Sequence, residues 1–504
     1  MISVSNLQIL LSKLNTEERK QLQKILQSRK SEQDGNKTLK LVGILLEEKK
    51  INHSDIQVML YGKENYMAFN KICSRLKEKI LDVILLDPCI LSSNYSKRNE
   101  VLFSVKKKII QADILNLKGL RDDADSVIKK MILLSKEYEM YDLVIQALQI
   151  REKFAIIRKL NKEIQKIKFE ILQYNDKHLS LLNAQSQFNF MMNKISSISN
   201  KINYKFELQS TIEALESSVI LYQSSIVKYY CLILSTELFQ INNEFKKADS
   251  ALDKAIEILS KKSVYTNNRM GAILLSKSDN YLRMFDFSKS IEYGQMSNIY
   301  FPNNKFNKSL VVENNFFCNL YTGNLDLAFE DIKSLVNMTL TNITSTVLNK
   351  YKYFEGVVFF LQENFDECLA CFNDLKEIEK DKDGWNINIR ILTIMALIER
   401  KDYEAAELQI ENLKSFFKRV SKKSVLGKRY GAIIKIFVIL ENNAYNFKTI
   451  RLLNNQSFVK MINMDEGYEW QIKGPELIAF EAWISSKQEN TQGLYHIMIR
   501  KFDS

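Results

Sequence analysis

Proline and glycine are unusually scarce in this 504-residue chain, which contains 3 prolines and 14 glycines. At the average usage of ~5% proline and ~7% glycine, a chain of this length would hold about 25 and about 35. Proline blocks helix interiors and glycine weakens them, so their scarcity is compatible with helix almost throughout. It also argues against a β-sandwich, which needs many turns.

Residues that serve catalytic and metal sites are few as well. The three histidines, His53, His178 and His496, are dispersed, and no glycine-rich phosphate loop or GxSxG motif occurs. The six cysteines are scattered, unlike the dense framework of a small secreted protein. Cys368 and Cys371 form a CxxC, but a metal site of this spacing needs a second pair or nearby histidines. We therefore expect a chain without enzymatic activity, metal or cofactor, in which these two thiols are packing residues.

Long apolar runs are also missing. No stretch of ~18 apolar residues is present, which argues against a transmembrane helix. The first residues lack a basic n-region and contain Lys13 within their apolar stretch, unlike a signal peptide. These features predict a cytoplasmic protein with no membrane partner. Heavy use of Lys, Asn and Ile is typical of an AT-rich bacterial genome.

A recurring pattern is present from about residue 226. A turn residue is followed by an aromatic residue or leucine, and a small residue follows three positions later. The first set is Phe245, Phe287, Leu325, Phe365 and Tyr403, and the small set is Ala248, Ser290, Ala328, Cys368 and Ala406. The small residues stand 42, 38, 40 and 38 positions apart. Two helices of a hairpin approach closely only where one side chain is small, so the pattern predicts the second helix of each hairpin, while Ser278 and Gly356 supply small residues on first helices.

This pattern resembles the tetratricopeptide repeat, a helix pair with a usual period of about 34 residues. Here the period is longer, and the consensus tryptophan is absent. The whole layout, including a W-[LI]-x-S-K element at Trp483, Ile484, Ser486 and Lys487, is similar to uncharacterised tetratricopeptide-type proteins of Bacteroidetes. The resemblance implies an all-α fold, an α-solenoid of helix hairpins, and it carries no active site.

Four segments are predicted. Residues 1–90 form a small helical head, residues 98–225 form long helices with weak repeats, residues 226–420 hold the repeats, and residues 421–504 form a C-terminal helical cap. The stretch 160–198 has almost no helix breaker and predicts a helix longer than about 25 residues. A last amphipathic helix is expected to begin at Pro475, a favoured first-turn residue.

Within the head, local signals predict helix boundaries. Asn15 followed by Glu18 fits a capping box, and the stretch SEQDGN at 31–36 predicts a loop. Ser54 followed by Gln57 predicts the cap of a short helix that ends near Gly62.

The net charge of +12 is a modest excess, and its densest part is basic. No acidic residue occurs between positions 414 and 435, a range that includes Lys418, Arg419, Lys422, Lys423, Lys428 and Arg429. Such a segment could bind phosphates or an acidic peptide, and it is equally typical of solvated surface. The predicted fifth helix of the head adds basic residues, as a helix-turn-helix would: Lys63, Lys71, Arg75, Lys77 and Lys79. Glu64 and Glu78 dilute this charge, and the glycine turn of a helix-turn-helix is absent between Lys49 and Ser54.

Two functions remain open from the sequence. The first is a protein- or peptide-binding scaffold whose partner is encoded by a neighbouring gene, with a groove lined by Asn314, Asn315, Tyr351 and Asn388. The alternative is a nucleic-acid-binding regulator that uses the head or the basic segment, with the repeats as a sensor.

Overall fold

The computed structural model describes residues 4–27, 33–47, 53–86, 97–197, 204–301, 304–339, 345–375, 384–420, 428–447 and 456–489. Within these ranges the chain forms 23 α-helices and no strand, which confirms the all-α prediction. Contacts divide the chain into two compact units, Met1–Asn175 and Asp176–Ser504. The boundary falls inside one long helix.

The first unit contains eight complete helices and the start of a ninth. They are α1 (Val4–Lys13), α2 (Thr16–Gln27), α3 (Gln33–Leu46), α4 (His53–Tyr61), α5 (Tyr66–Leu86), α6 (Lys97–Leu117), α7 (Arg121–Glu137), α8 (Tyr141–Ile157) and α9 (Asn161–Ser197). At 37 residues, α9 confirms the long helix expected between 160 and 198.

The second unit holds the rest of α9 and the remaining helices. They are α10 (Lys205–Tyr222), α11 (Ser225–Ile241), α12 (Phe245–Leu259), α13 (Asn267–Arg283), α14 (Phe287–Asn298), α15 (Lys305–Tyr321), α16 (Leu325–Thr339), α17 (Ser345–Leu361), α18 (Phe365–Asn373), α19 (Trp385–Glu399), α20 (Tyr403–Val420), α21 (Lys428–Asn442), α22 (Gln456–Ile462) and α23 (Phe480–Glu489). From α10 to α21 each helix packs on the next, as in a solenoid of hairpins.

The capping box of the head is present as predicted. The Asn15 N–H donates to Glu18 Oε2, and the Glu18 N–H donates to Asn15 Oδ1, both at 2.8 Å. Two other boundary predictions are wrong. Helix α3 begins at Gln33, so residues 33–36 of the expected loop are helical, and α4 begins at His53, which leaves Ser54 inside the helix. Gln57 instead accepts the Asn65 N–H at 3.1 Å.

The repeat pattern places its small residues where hairpins close. Ala248, Ser290, Ala328, Cys368 and Ala406 are all fully buried, as predicted. The two first-helix positions are equally tight: Ser290 Oγ donates to the Ser278 carbonyl at 2.8 Å. A Cβ on Gly356 would lie 2.3 Å from the Phe372 ring. Close helix approach therefore depends on these small side chains.

Eight described turns share one backbone geometry. Each has a residue with positive φ two positions before a helix starts, and the next N–H donates to the carbonyl five residues back at 2.8–3.0 Å. This is the Schellman closure of a helix. The positive-φ residues are Gly119, Glu139, Lys159, Asn243, Phe285, Gly323, Glu363 and Lys401.

The last helix starts later than the sequence suggested. Residues 475–479 are not helical, and α23 begins at Phe480 rather than at Pro475. The Phe480 N–H donates to Glu476 Oε1 at 2.9 Å, so a side chain four residues upstream holds the start of this helix. The irregular stretch before it takes part in the candidate site.

Candidate functional site: a strap on the first helices of the repeats

Residues 468–489, here called the strap, lie against the first helices of successive hairpins. The strap has no regular structure before α23, yet most of its apolar side chains are buried. Trp470 packs edge-on against Tyr321 of α15, with ring centroids 5.7 Å apart. Phe480 packs edge-on against Phe437 of α21 at 5.0 Å. The strap thus shares one hydrophobic core with the repeats.

A lysine of the strap reaches α13 and α15. Lys473 Nζ lies 2.6 Å from Asp279 Oδ1 and 2.7 Å from Asn314 Oδ1, and it stands 5.6 Å from the centre of the Phe317 ring. Burial alone would raise the pKa of Asp279, but Arg283 and Lys473 outweigh it and hold that pKa well below its usual range. Asp279 is therefore a carboxylate that binds two cations.

The strap backbone is bound by a tyrosine of α17. Tyr353 Oη donates to the Pro475 carbonyl at 2.9 Å. Burial raises the pKa of Tyr353 well above its usual value, so the hydroxyl stays protonated and remains a donor. Residues 471–474 form a tight turn in which a Cβ on Gly474 would lie 2.9 Å from the Gln471 carbonyl oxygen.

An arginine at the start of α21 binds two glutamates of the strap. Arg429 Nε and Nη2 donate to the two Glu476 oxygens at 2.6 Å, and Nη2 also binds Glu481. Arg429 Nη1 donates to the Tyr468 carbonyl at 2.7 Å. The side chains of Arg429, Glu476 and Glu481 are only 8%, 9% and 7% exposed. Burial alone would lower the pKa of Arg429, but the two carboxylates outweigh burial and raise that pKa above its usual value, so the guanidinium stays charged.

A fourth contact lies on α19. Trp483 Nε1 donates to Glu399 Oε1 at 2.7 Å, and Lys487 Nζ binds Glu399 Oε2 at 2.5 Å. Together with Asp279, Asn314, Tyr353 and Arg429, Glu399 defines what we call the strap-contacting face. It spans α13, α15, α17, α19 and α21.

The four residues predicted to line a groove are mostly inside the protein. Asn314, Tyr351 and Asn388 are 2%, 4% and 2% exposed. Asn314 binds Lys473, and Asn388 Nδ2 donates to the Gly384 carbonyl and to Tyr430 Oη. Asn315 is half-buried. Only Asn314 belongs to the strap-contacting face, and the strap already covers it.

The basic segment is divided by the structure. Lys418, Arg419 and Lys428 are exposed, whereas Arg429 is buried with the strap glutamates and is not part of a basic surface. Lys422 and Lys423 lie outside the described residues. In the head, the cations of α5 at Lys71, Arg75 and Lys77 are exposed and Lys79 is half-exposed.

The CxxC thiols, Cys368 and Cys371, are carried by α18 and are buried in the hydrophobic core. Burial raises the pKa of Cys371 to about 11 and raises that of Cys368 still further, so both stay protonated. Across the described ranges, no group of three or more His, Cys, Asp or Glu side chains is placed to hold a metal ion. Within the same ranges, none of the helices combines the length and apolar content needed to cross a membrane.

The sequence held one overlooked signal for the strap. Glu476 and Glu481 fall among Leu477, Ile478 and Phe480, and a charged side chain in such an apolar run needs a buried partner of opposite charge. The prediction of a simple amphipathic helix from Pro475 named no cation for these two glutamates; in the structure the cation is Arg429. In comparisons with known proteins, no family model and no curated protein matches the chain.

Proposed function

We propose that the chain is a non-catalytic scaffold that binds polypeptide segments of a protein partner on the first helices of its repeats. One observation carries the proposal. The strap, whose residues 468–479 are irregular, is held on five such helices by hydrogen bonds and ion pairs to Lys473, Pro475, Glu476 and Trp483. Binding of this kind reads both the backbone and the side chains of a peptide.

The repeat packing supports the same proposal. Small residues spaced about forty positions apart close each hairpin, and one segment, the strap, contacts the first helices of five successive hairpins. This architecture favours a tetratricopeptide-like scaffold over a catalyst.

A cleavable chain tests the proposal. A protease site placed within residues 448–455 of the full-length protein would separate the strap covalently from the repeats. We expect the fragment to co-elute with the repeats on size exclusion and to exchange, saturably, with a labelled synthetic peptide of residues 466–489. A scrambled peptide of equal composition is the control. A fragment that separates, or uptake that is absent or equal for both peptides, contradicts the proposal.

A further inference from the structure

We infer that the strap-contacting face selects peptides that carry a lysine and, three residues later, a glutamate, and that the strap is a resident competitor for such a partner. The inference rests on the proposed function and adds the chemistry of the ligand. Lys473 and Glu476 supply this pair in the free chain. The occupant we commit to is therefore a peptide segment of another protein with the same two charges.

The groups that bind the Lys473 ammonium all belong to the repeats. Asp279 is held by Arg283 of its own helix at 2.8 Å, and one of its oxygens is directed to Lys473. The Asn314 amide oxygen and the Phe317 ring complete a site with an anion, an acceptor and a π face. These three groups all favour an ammonium group over a neutral side chain.

The second site, at Arg429, requires a carboxylate partner even more strongly than the first site requires an ammonium group. Arg429 is 6% exposed, and both of its carboxylate partners come from the strap. If the strap left without a replacement, the guanidinium would lose both partners in a largely enclosed position, which is strongly unfavourable. A competing ligand must therefore bring at least one carboxylate to Arg429.

The geometry between the two sites excludes a helical ligand. Tyr353 Oη donates to the Pro475 carbonyl, which in a helix would accept a hydrogen bond from the ligand's own backbone. Lys473 has a φ of 62°, in the left-handed region and not in the helical one. Gly474 has no room for a Cβ beside the Gln471 carbonyl. The face thus reads a turned, irregular peptide in which the lysine and the glutamate are separated by two residues.

Competition from a tethered strap is strong, because a segment on the same chain acts at an effective concentration of the order of millimolar. The same substitution must consequently have opposite effects on the affinity for the free peptide when it is made in the strap and when it is made in the peptide. Weakening the strap helps a free peptide to bind, whereas weakening the peptide hinders it. A strap that only completes the core would not produce this reversal.

The experiment uses the intact full-length chain and a fluorescent peptide of residues 466–489, with binding followed by anisotropy. We expect Lys473→Ala in the chain to tighten peptide binding by about 10-fold. In the peptide, Lys473→Ala should weaken binding by about 10-fold, and Glu476→Gln by about 100-fold. Gln471→Ala, whose side chain is exposed, is the matched control in both places and should change neither value.

The outcomes separate the two proposals. If the peptide binds but its lysine and glutamate variants bind equally well, the inference is overturned while the scaffold function stands. If Lys473→Ala in a chain of unchanged circular dichroism fails to improve binding, the strap is not a competitor and the inference also fails. If no peptide binds even to the cleaved chain, the scaffold function fails with it.

Discussion

At the scale of single residues, Arg429 has the largest influence on the candidate site. It is a buried cation whose two partners lie 47 and 52 positions later in the sequence, so its side chain joins α21 to the strap. A buried ion group contributes less to stability than its Coulomb energy suggests, because desolvation opposes it. Removing one member is costly nonetheless, since the remaining charges stay buried.

Arg429→Ala should therefore lower the free energy of unfolding of the strap region by about 3–5 kcal/mol. Two of the three tryptophans, Trp470 and Trp483, belong to the strap, so the urea midpoint of tryptophan fluorescence reports on this region. Lys435→Ala, at an exposed position of the same helix, is the control and should change stability by less than about 0.5 kcal/mol. Equal effects of the two substitutions would show that the ion group is not a structural link.

Asp331 gives a prediction with a pH dependence. Burial raises its pKa to about 6 despite the hydrogen bond from Asn319, whose Nδ2 lies 2.8 Å away. Since the folded chain holds this proton more tightly than the unfolded chain, stability falls as pH rises from about 4 through about 6. Asp331→Asn should raise the thermal midpoint at about pH 8 and have little effect near pH 4. Asp326→Asn, at an exposed position of the same helix, is the control variant, and equal effects of the two substitutions at both pH values would contradict the prediction.

At the scale of helices and turns, the sequence predicted what depends on side-chain size and missed what depends on backbone geometry. The small residues of the repeats were visible because Ala, Ser and Cys recur at fixed spacing. The turns at Gly119, Glu139 and Lys159, exactly 20 residues apart, were not recognised as a series, since only one of them is glycine. The late start of α23 was missed because the partners that hold Glu476 and Pro475 lie on distant helices.

Close packing at Gly356 can be tested against a second helical glycine. A Cβ at Gly356 would overlap the Phe372 ring, whereas a Cβ at Gly431 would lie 3.8 Å from its nearest described neighbour, Phe417. We expect Gly356→Ala to destabilise the chain by about 1–3 kcal/mol. Gly431→Ala should stabilise it by up to about 1 kcal/mol, since alanine favours helix. Chemical denaturation of both variants measures these changes in the free energy of unfolding. A Gly356→Ala variant as stable as wild type would refute the packing argument.

The left-handed turns offer two substitutions that are expected to change the thermal midpoint in opposite directions. Lys401 is exposed and has a φ of 63°, a conformation that costs a side-chain-bearing residue about 1 kcal/mol. Lys401→Gly should accordingly raise the thermal midpoint, and Gly323→Ala, at the equivalent turn with a φ of 75°, should lower it. Midpoints that move in the same direction for both variants would contradict this account of the turns.

At the scale of the molecule, the repeats and the strap of the second unit share one hydrophobic core. The prediction of a ligand surface on first helices stays a prediction. Of the residues named for it, Asn314, Tyr351 and Asn388 are buried, and Asn314 binds Lys473 of the strap. Sequence periodicity identifies which helices repeat. It does not reveal that a segment up to 194 residues away in sequence occupies their surface.

Amide hydrogen exchange of the intact chain, resolved over residues 468–489, tests the central claim most directly. If the strap is bound to the first helices, its amides should exchange much more slowly than those of the free 466–489 peptide. Lys473→Ala should accelerate the exchange of the strap amides more than that of the α17 and α19 amides. Strap amides that exchange at the rate of the free 466–489 peptide would contradict the account.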